Sequence, residues 1–159
     1  ADFAIVFMTS PNSGTGYDKS DCEKGGNGYM PISLQYNDYT ATYARNPSLA
    51  GGDPFENFTN RSYKGKSVKT ANKQDMLSVL ETKAKMKGKP VIVSLEMDKP
   101  TIMSEFEGSA DAILVNFGVQ NQAVLDIISG KPSLPLCCFA RCRQICVSWR
   151  SNSKMFPGI

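Results

Sequence analysis

Three short, strongly apolar runs constrain the fold of this chain more than any other feature. They span residues 3–8, 91–97 and 112–117, and each has the length of a strand rather than of an amphipathic helix. Apolar runs of this kind are typical of strands that are buried on both faces. We therefore predict three strands of a mainly parallel sheet that is covered on both sides.

Two helical patterns accompany these runs. Asn72 is a predicted N-cap, Asp75 follows three residues later like a capping-box acid, and the helix should stop near Gly88, before Pro90. A second helix is predicted over residues 120–129. Strands that alternate with helices indicate an α/β fold, a three-layer sandwich with a mainly parallel, Rossmann- or flavodoxin-like sheet.

A long loop region separates the first strand from the first helix. Residues 9–69 are rich in Gly, Asn, Ser, Tyr and Pro and have little helical periodicity. Within them, residues 32–36 alternate in polarity and are a candidate short strand. Loops of this length inside a compact domain are usually functional.

Composition excludes several functions. The chain has no histidine, so it contains no Ser-His-Asp triad, no Cys-His pair and no histidine metal ligand. Residues 1–130 hold 13 basic and 15 acidic residues, a net charge of −2, and the other five basic residues follow. A net charge of −2 is not typical of a domain that binds nucleic acid. No run of 18 apolar residues is present, so we predict no transmembrane helix and no membrane partner.

The cysteines divide the chain. Cys22 stands alone, and the others are Cys137, Cys138, Cys142 and Cys146. Their spacing lacks the C-x2-C knuckles of most zinc sites, and a disulfide framework is not expected in a chain with an ordinary apolar core. We predict no metal site. Residues 1–131 are assigned to one domain, and residues 132–159 to an atypical tail rich in Cys and Arg.

Three segments resemble the family 3 glycoside hydrolases. ADFAIVFMTSPNSGTGYDK is similar to a family segment that ends in S-G-E-G-x-D-R. GKPVIVSLEMDKPTIM and SADAILVNFGVQNQAVLDIISGK are similar to two later family patterns, and the three occur in family order. The resemblance implies part of the C-terminal α/β sandwich domain of a β-glucosidase-like enzyme, whose loops lean over a neighbouring barrel domain.

The resemblance also implies an activity. The family hydrolyses terminal β-linked sugars with retention, using a carboxylate nucleophile and an acid/base carboxyl group about 5–5.5 Å apart. The nucleophile is an aspartate of the N-terminal barrel, which this chain does not include, so we expect the isolated chain to be inactive. No cofactor is implied. The cell compartment is not fixed, although the resemblance suggests a periplasmic or secreted parent enzyme, and self-association is left open.

The expected acid/base residue is missing from the loop. Aligning SGTGYDK with S-G-E-G-x-D-R places Thr15 where the family has a glutamate. A threonine cannot donate a proton at neutral pH, and proton transfer is typically worth about 10²–10⁴-fold. Three hypotheses remain. Asp21 or Glu23 on the same loop is the acid, the barrel supplies it, or the domain only shapes the sugar pocket.

If the domain shapes the pocket, the loop provides the contacts. The candidate substrate-binding residues are Gly14, Thr15, Gly16, Tyr17 and Asp18. Each has a structural alternative. Asp18 would brace the loop through backbone N–H groups, the glycines would provide left-handed backbone, and Tyr17 would pack within the loop.

A flavodoxin-like phosphate- or flavin-binding module is the alternative function. In such modules a loop after the first strand holds a phosphate at the N-terminus of the next helix. This mechanism requires a helix directly after the loop. Residues 17–29 instead contain Gly25, Gly26 and Gly28 and have no amphipathic face.

The tail has the composition of a coding sequence read in the wrong frame. It contains four of the five cysteines, the only tryptophan and no acidic residue. With codons chosen freely, residues 135–157 can be read one frame over as a continuation similar to the family pattern L-L-P-x-x-M-P-A-D-M. We therefore predict that residues from about Leu134 are a frameshift product with reduced, metal-free cysteines. The alternative is a genuine tail that binds metal or pairs its thiols.

Overall fold

The chain forms two compact units. The computed structural model describes residues 1–49 and 60–131, and it describes residues 140–142 as backbone. One unit comprises Ala1–Ser10 together with the described residues from Gln74 onward, and the other comprises Pro11–Lys73.

The first unit is built on a mainly parallel sheet. Its strands are β1 (Ala4–Thr9), β4 (Val91–Glu96), β5 (Ala112–Asn116) and β6 (Ala140–Cys142), in that spatial order. β1, β4 and β5 are mutually parallel, and β6 pairs with β5 in the antiparallel sense. The three apolar runs are therefore the three parallel strands, as predicted, and the α/β class is confirmed.

The predicted helices of this unit are also present. They are α2 (Lys73–Lys85) and α3 (Asn121–Ile128), and a 3₁₀ turn covers Glu107–Ser109. Asp75, in the first turn of α2, accepts hydrogen bonds from the backbone N–H and the hydroxyl of Thr9, each at 3.2 Å. The helix is thereby joined to the end of β1.

The core of this unit lies around β4. Side chains of Val93 and Leu95 are completely buried, and even Ser94 on the opposite face is 1% exposed. Over its described residues, the buried apolar side chains are Met8, Met76, Val79, Val91, Val93, Leu95, Phe106, Ile113 and Val124. A central strand that is buried on both faces accounts for the apolar sequence of β4.

For β1 the prediction of burial on both faces was wrong. Met8 is 3% exposed, but Phe7 on the opposite face is 46% exposed. The strand pairs only with β4 in the described sheet, so it is an edge strand, and Phe7 has less cover there than a central strand would provide.

Acid is expected to weaken this unit through Asp111. Its carboxylate accepts hydrogen bonds from Lys83 Nζ at 2.5 Å and from the Val91 N–H at 2.7 Å. These two bonds, the Lys83 bond first, lower the pKa of Asp111 from its usual 3.8. A carboxyl group with a lowered folded-state pKa stabilises the fold above its unfolded pKa, and this stabilisation is lost as pH falls through the lower value.

We therefore expect the Asp111→Asn variant to show a flatter dependence of stability on pH between about pH 5 and pH 2. Urea unfolding followed by circular dichroism measures this dependence. Asp2→Asn is the control, because the Asp2 side chain is fully exposed and lies 4.0 Å from Lys89. If both variants keep the wild-type profile, Asp111 does not link α2 to β4 in solution.

The second unit contains most of the predicted long loop, but it has regular elements and buried side chains. Among the residues of this unit that are described, the regular elements are α1 (Lys19–Glu23) and a two-stranded antiparallel pair, β2 (Tyr39–Thr40) with β3 (Ser67–Val68). Tyr36 and Ala41 are completely buried and give the unit a small core of its own.

The predicted strand at residues 32–36 was wrong. The Ser33 hydroxyl accepts a hydrogen bond from Gln35 N–H at 3.1 Å and donates one to Gln35 carbonyl oxygen at 2.9 Å. This local bonding bends the chain, because the serine side chain competes with strand pairing for the backbone groups.

Candidate functional site

The candidate loop follows β1 in the chain and depends on two left-handed glycines. Gly14 and Gly16 have φ angles of +88° and +85°, which are strained for residues with a side chain. Asn12 Oδ1 accepts a hydrogen bond from Gly14 N–H at 3.2 Å, and the Ser13 hydroxyl accepts one from Ser33 N–H at 2.8 Å. Ser13 is buried, and its bond to Ser33 fixes the loop to the segment around Ser33.

Thr15 lies between the two glycines and is exposed. Its hydroxyl has no hydrogen-bond partner within the described part of the chain. The position that carries a glutamate in the family pattern therefore presents a neutral hydroxyl to solvent. Such a group can bond to a sugar hydroxyl, but it cannot act as a general acid at neutral pH.

Tyr17 presents an aromatic surface beside Thr15. The side chain is 47% exposed, and its ring contacts Tyr29 edge-to-face with 5.9 Å between ring centroids. Its hydroxyl lies 3.1 Å from Cys22 Sγ. The ring is thus held by its contact with Tyr29 and at its hydroxyl, and close to half of the residue is open to solvent.

A short backbone pairing holds Tyr17 opposite Tyr29. Asp18 N–H donates to the Gly28 carbonyl oxygen at 2.8 Å, and Met30 N–H donates to the Gly16 carbonyl oxygen at 2.9 Å. The loop and the segment around Gly28 therefore form one connected piece of structure.

Asp18 is the N-cap of α1. Its Oδ1 accepts from Ser20 N–H and its Oδ2 from the Ser20 hydroxyl, each at 2.9 Å. This is the loop-bracing arrangement that the sequence allowed for Asp18. The helix itself was not predicted, and Asp18, a residue type that is preferred at the N-cap, was the local signal for it.

The same geometry weighs against a phosphate-binding loop. A helix does follow the loop, contrary to our expectation, but it has only five residues. At its N-terminus the carboxylate of Asp18 already accepts the Ser20 N–H, where a phosphate would need a free donor.

Asp21 is not a suitable general acid. Its Oδ2 accepts hydrogen bonds from Lys66 Nζ at 2.6 Å and from Gly28 N–H at 2.8 Å. The Lys66 bond, followed by the Gly28 bond, lowers the pKa of Asp21 below 3.8. A carboxyl group that stays ionised at neutral pH has no proton to donate to a leaving group. Of the two loop acids considered, the structure disfavours Asp21.

Glu23 is the last residue of α1 and is exposed. Its carboxylate makes no hydrogen bond or ion pair within the described part of the chain. The structure therefore leaves it as a solvated acid, with no neighbouring group that would prepare it for proton transfer.

A second polar arrangement, missed from the sequence, lies at the carboxyl ends of β1 and β4. The Ser10 hydroxyl accepts from Asp98 N–H at 2.9 Å and donates to the Asp98 carboxylate. This hydrogen bond from Ser10 is the main cause that lowers the pKa of Asp98, followed by the positive charge of Lys99. Ser10 is 3% exposed, so its hydroxyl is not presented to solvent as a nucleophile.

The expectations for the tail cysteines, for metal binding and for membrane-spanning helices can be compared only with the described residues. Cys137, Cys138 and Cys146 lie outside them, and Cys142 is described only as backbone in β6. Across residues 1–49 and 60–131, no three Cys, Asp or Glu side chains converge to form a possible metal site. None of the helices in these ranges combines the length and hydropathy needed to span a bilayer.

Comparison of the chain with protein-family models, curated proteins and solved structures finds no match.

Proposed function

We propose that this chain is part of a retaining β-glycosidase, similar to β-glucosidases, which hydrolyses terminal β-linked sugars from oligosaccharides or glucosides. One observation carries the proposal. The loop that follows β1 of a mainly parallel sheet presents Thr15 between two left-handed glycines, with the exposed Tyr17 beside it. Loops at the carboxyl ends of parallel strands are where α/β proteins bind ligands. The order of the three family-like segments supports the same assignment.

The proposal includes a three-layer sandwich in the parent enzyme. The exposure of Phe7 on one face of β1 is what an α/β domain would show if a covering layer came from elsewhere in the parent. We propose that the N-terminal barrel lies next to this domain and supplies the nucleophilic aspartate.

Within this enzyme the chain shapes the sugar pocket. Tyr17 offers a ring face on which a pyranose can stack, and Thr15 offers a hydroxyl for a sugar oxygen. Gly14 and Gly16 set the backbone, and Asp18 fixes the start of α1. We propose that the acid/base group then comes from the barrel, because Thr15 cannot donate a proton, Asp21 is ion-paired, and Glu23 is exposed with no bonding partner in the described residues.

A titration of isotope-labelled chain with methyl β-D-glucopyranoside tests the pocket. We expect saturable shifts of amide signals that are confined to Gly14–Asp18 and to the Tyr17 ring. Tyr17→Ala should abolish them, whereas Tyr43→Ala should not, because Tyr43 is 99% exposed and serves as a matched control. Shifts spread evenly over the surface, or equal loss in both variants, would contradict a sugar site at this loop.

The flavodoxin-like alternative predicts different results in the same samples. Purified protein would absorb near 450 nm, a wavelength typical of bound flavin, and flavin mononucleotide rather than the glucoside would shift the Gly14–Asp18 signals. We expect neither.

We also expect the chain alone to show no measurable hydrolysis of aryl β-glucosides, since the nucleophile lies outside it. The assay is release of 4-nitrophenol, with Glu23→Gln as the comparison variant. Turnover that follows the protein through purification and survives Glu23→Gln would overturn the assignment.

A further inference from the structure

Three polar side chains in the unit that contains the candidate loop form a connected cluster, which we call the Lys66 cluster (Asp21, Asn27 and Lys66). Lys66 Nζ donates to Asp21 Oδ2 at 2.6 Å and to Asn27 Oδ1 at 2.7 Å. The side chains of Lys66 and Asp21 are 23% and 26% exposed, so the ion pair is largely shielded from water. Shielded pairs lose less to solvent screening than surface pairs do.

The Lys66 cluster joins two stretches of chain that are distant in sequence. Asn27 Nδ2 donates to the carbonyl oxygens of Asn60 and Ser62, each at 2.9 Å. Lys66 itself precedes β3 (Ser67–Val68). The segment that contains α1 and Asn27 is thereby held against residues 60–66.

Two glycines make room for this arrangement. A Cβ atom at Gly26 would overlap the carboxylate of Asp21. A Cβ atom at Gly28 would lie 2.5 Å from Tyr17 Cε2 and 2.6 Å from Cys22 Sγ. The backbone at Gly26 therefore packs against the Asp21 carboxylate, and the backbone at Gly28 packs against the Tyr17 ring.

We infer that Lys66 is a positioning residue for the proposed sugar site. By bonding to both Asp21 and Asn27, Lys66 fixes the segment opposite Tyr17 and so fixes the orientation of the exposed tyrosine ring. The identity of the ligand in this inference rests on the proposed function. The claim that Lys66 fixes the Tyr17 ring does not. Lys66 touches no substrate. It acts on the site through Asp21, Gly28 and the Tyr17–Tyr29 contact.

The test uses four forms of the full chain: wild type, Lys66→Met, Lys66→Arg and Lys64→Met. Lys66→Met keeps the apolar stem and removes the donors, and Lys66→Arg restores a cationic donor. Lys64→Met is the matched control, because Lys64 is exposed and its side chain has no partner in the described residues. Two readouts are needed, the hydrogen exchange of Asp18 and Met30 amides and the titration with methyl β-D-glucopyranoside.

We expect Lys66→Met to speed exchange at Asp18 and Met30 by about tenfold, because local opening becomes easier. We also expect it to weaken the Tyr17 ring response to the glucoside by about fivefold, and we expect Lys66→Arg to restore most of both. Lys64→Met should match wild type. Unchanged exchange in Lys66→Met would overturn the positioning role, as would a loss that Lys66→Arg does not recover.

The two proposals fail in different ways. If the wild-type chain shows no response to the glucoside, the sugar site is wrong, and the exchange data alone decide whether Lys66 positions Tyr17. If wild type responds and Lys66→Met responds equally, the sugar site stands and the positioning role is wrong.

Discussion

Replacing Leu95 with alanine is expected to lower the free energy of unfolding by about 3 kcal/mol. Leu95 is completely buried in β4, the strand between β1 and β5, and its register partners are Met8 and Val115. The substitution removes apolar contacts and leaves a cavity that a central strand cannot close by moving.

Urea unfolding followed by circular dichroism measures this loss. Leu125→Ala is the matched control, because Leu125 on α3 is 39% exposed and its truncation should cost less than about 1 kcal/mol. Equal losses in the two variants would mean that the core does not lie at β4.

Replacing Gly28 with alanine should disrupt the unit that contains the candidate loop, with a cost of about 3 kcal/mol. Gly28 has a φ angle of +76°, and a Cβ atom there would overlap Tyr17 and Cys22. Backbone strain and steric overlap therefore add at this position.

Gly25 separates these two causes. Its φ angle is +86°, but a Cβ atom there would meet nothing within 4 Å. Gly25→Ala should therefore cost only the backbone term, about 1 kcal/mol. Hydrogen exchange of the Met30 amide, whose acceptor is the Gly16 carbonyl oxygen, reports the stability of the loop in both variants. If Gly25→Ala were as damaging as Gly28→Ala, the packing of Tyr17 against Gly28 would be refuted.

The parallel sheet could be predicted because burial leaves a strong trace in the sequence. β4 and β5 are apolar where they face the core, and α2 begins and ends close to its predicted cap and Gly88. The position of β1 at the edge of the described sheet could not be read from its residues. Its composition is that of a central strand, while its exposure depends on what lies beside it.

The second unit was harder to predict because its order comes from side-chain hydrogen bonds. β2 and β3 have two residues each, too few for an alternating pattern to show. α1 has five residues and is fixed by its cap rather than by an apolar face. Asn27 and Asn60 bond to backbone groups of Ser62 and Ser48, which are distant in sequence, and Ser33 bonds to Gln35 and bends the chain locally. No periodicity in the sequence records such contacts.

The candidate site was partly predictable for the same reasons. The left-handed backbone of Gly14 and Gly16 follows from their glycine spacing, and Asp18 braces the loop. The pairing of Asp21 with Lys66, 45 residues away, could not be read from either residue. That pairing matters most for the chemistry, because it disfavours Asp21, one of the two loop acids, as the general acid.

The tail remains a separate prediction. Residues from about Leu134 should have an alternative reading frame in the gene that restores an acidic, family-like continuation. If no other frame does so, the tail is a genuine part of this chain.

The nucleotide sequence upstream of the codon for Ala1 tests the central claim most directly. We expect it to encode, in frame, a barrel domain that resembles the family 3 glycoside hydrolases and carries the nucleophilic aspartate. An in-frame upstream region that encodes an unrelated domain, or a barrel without that aspartate, would contradict the assignment of this chain to a retaining β-glycosidase.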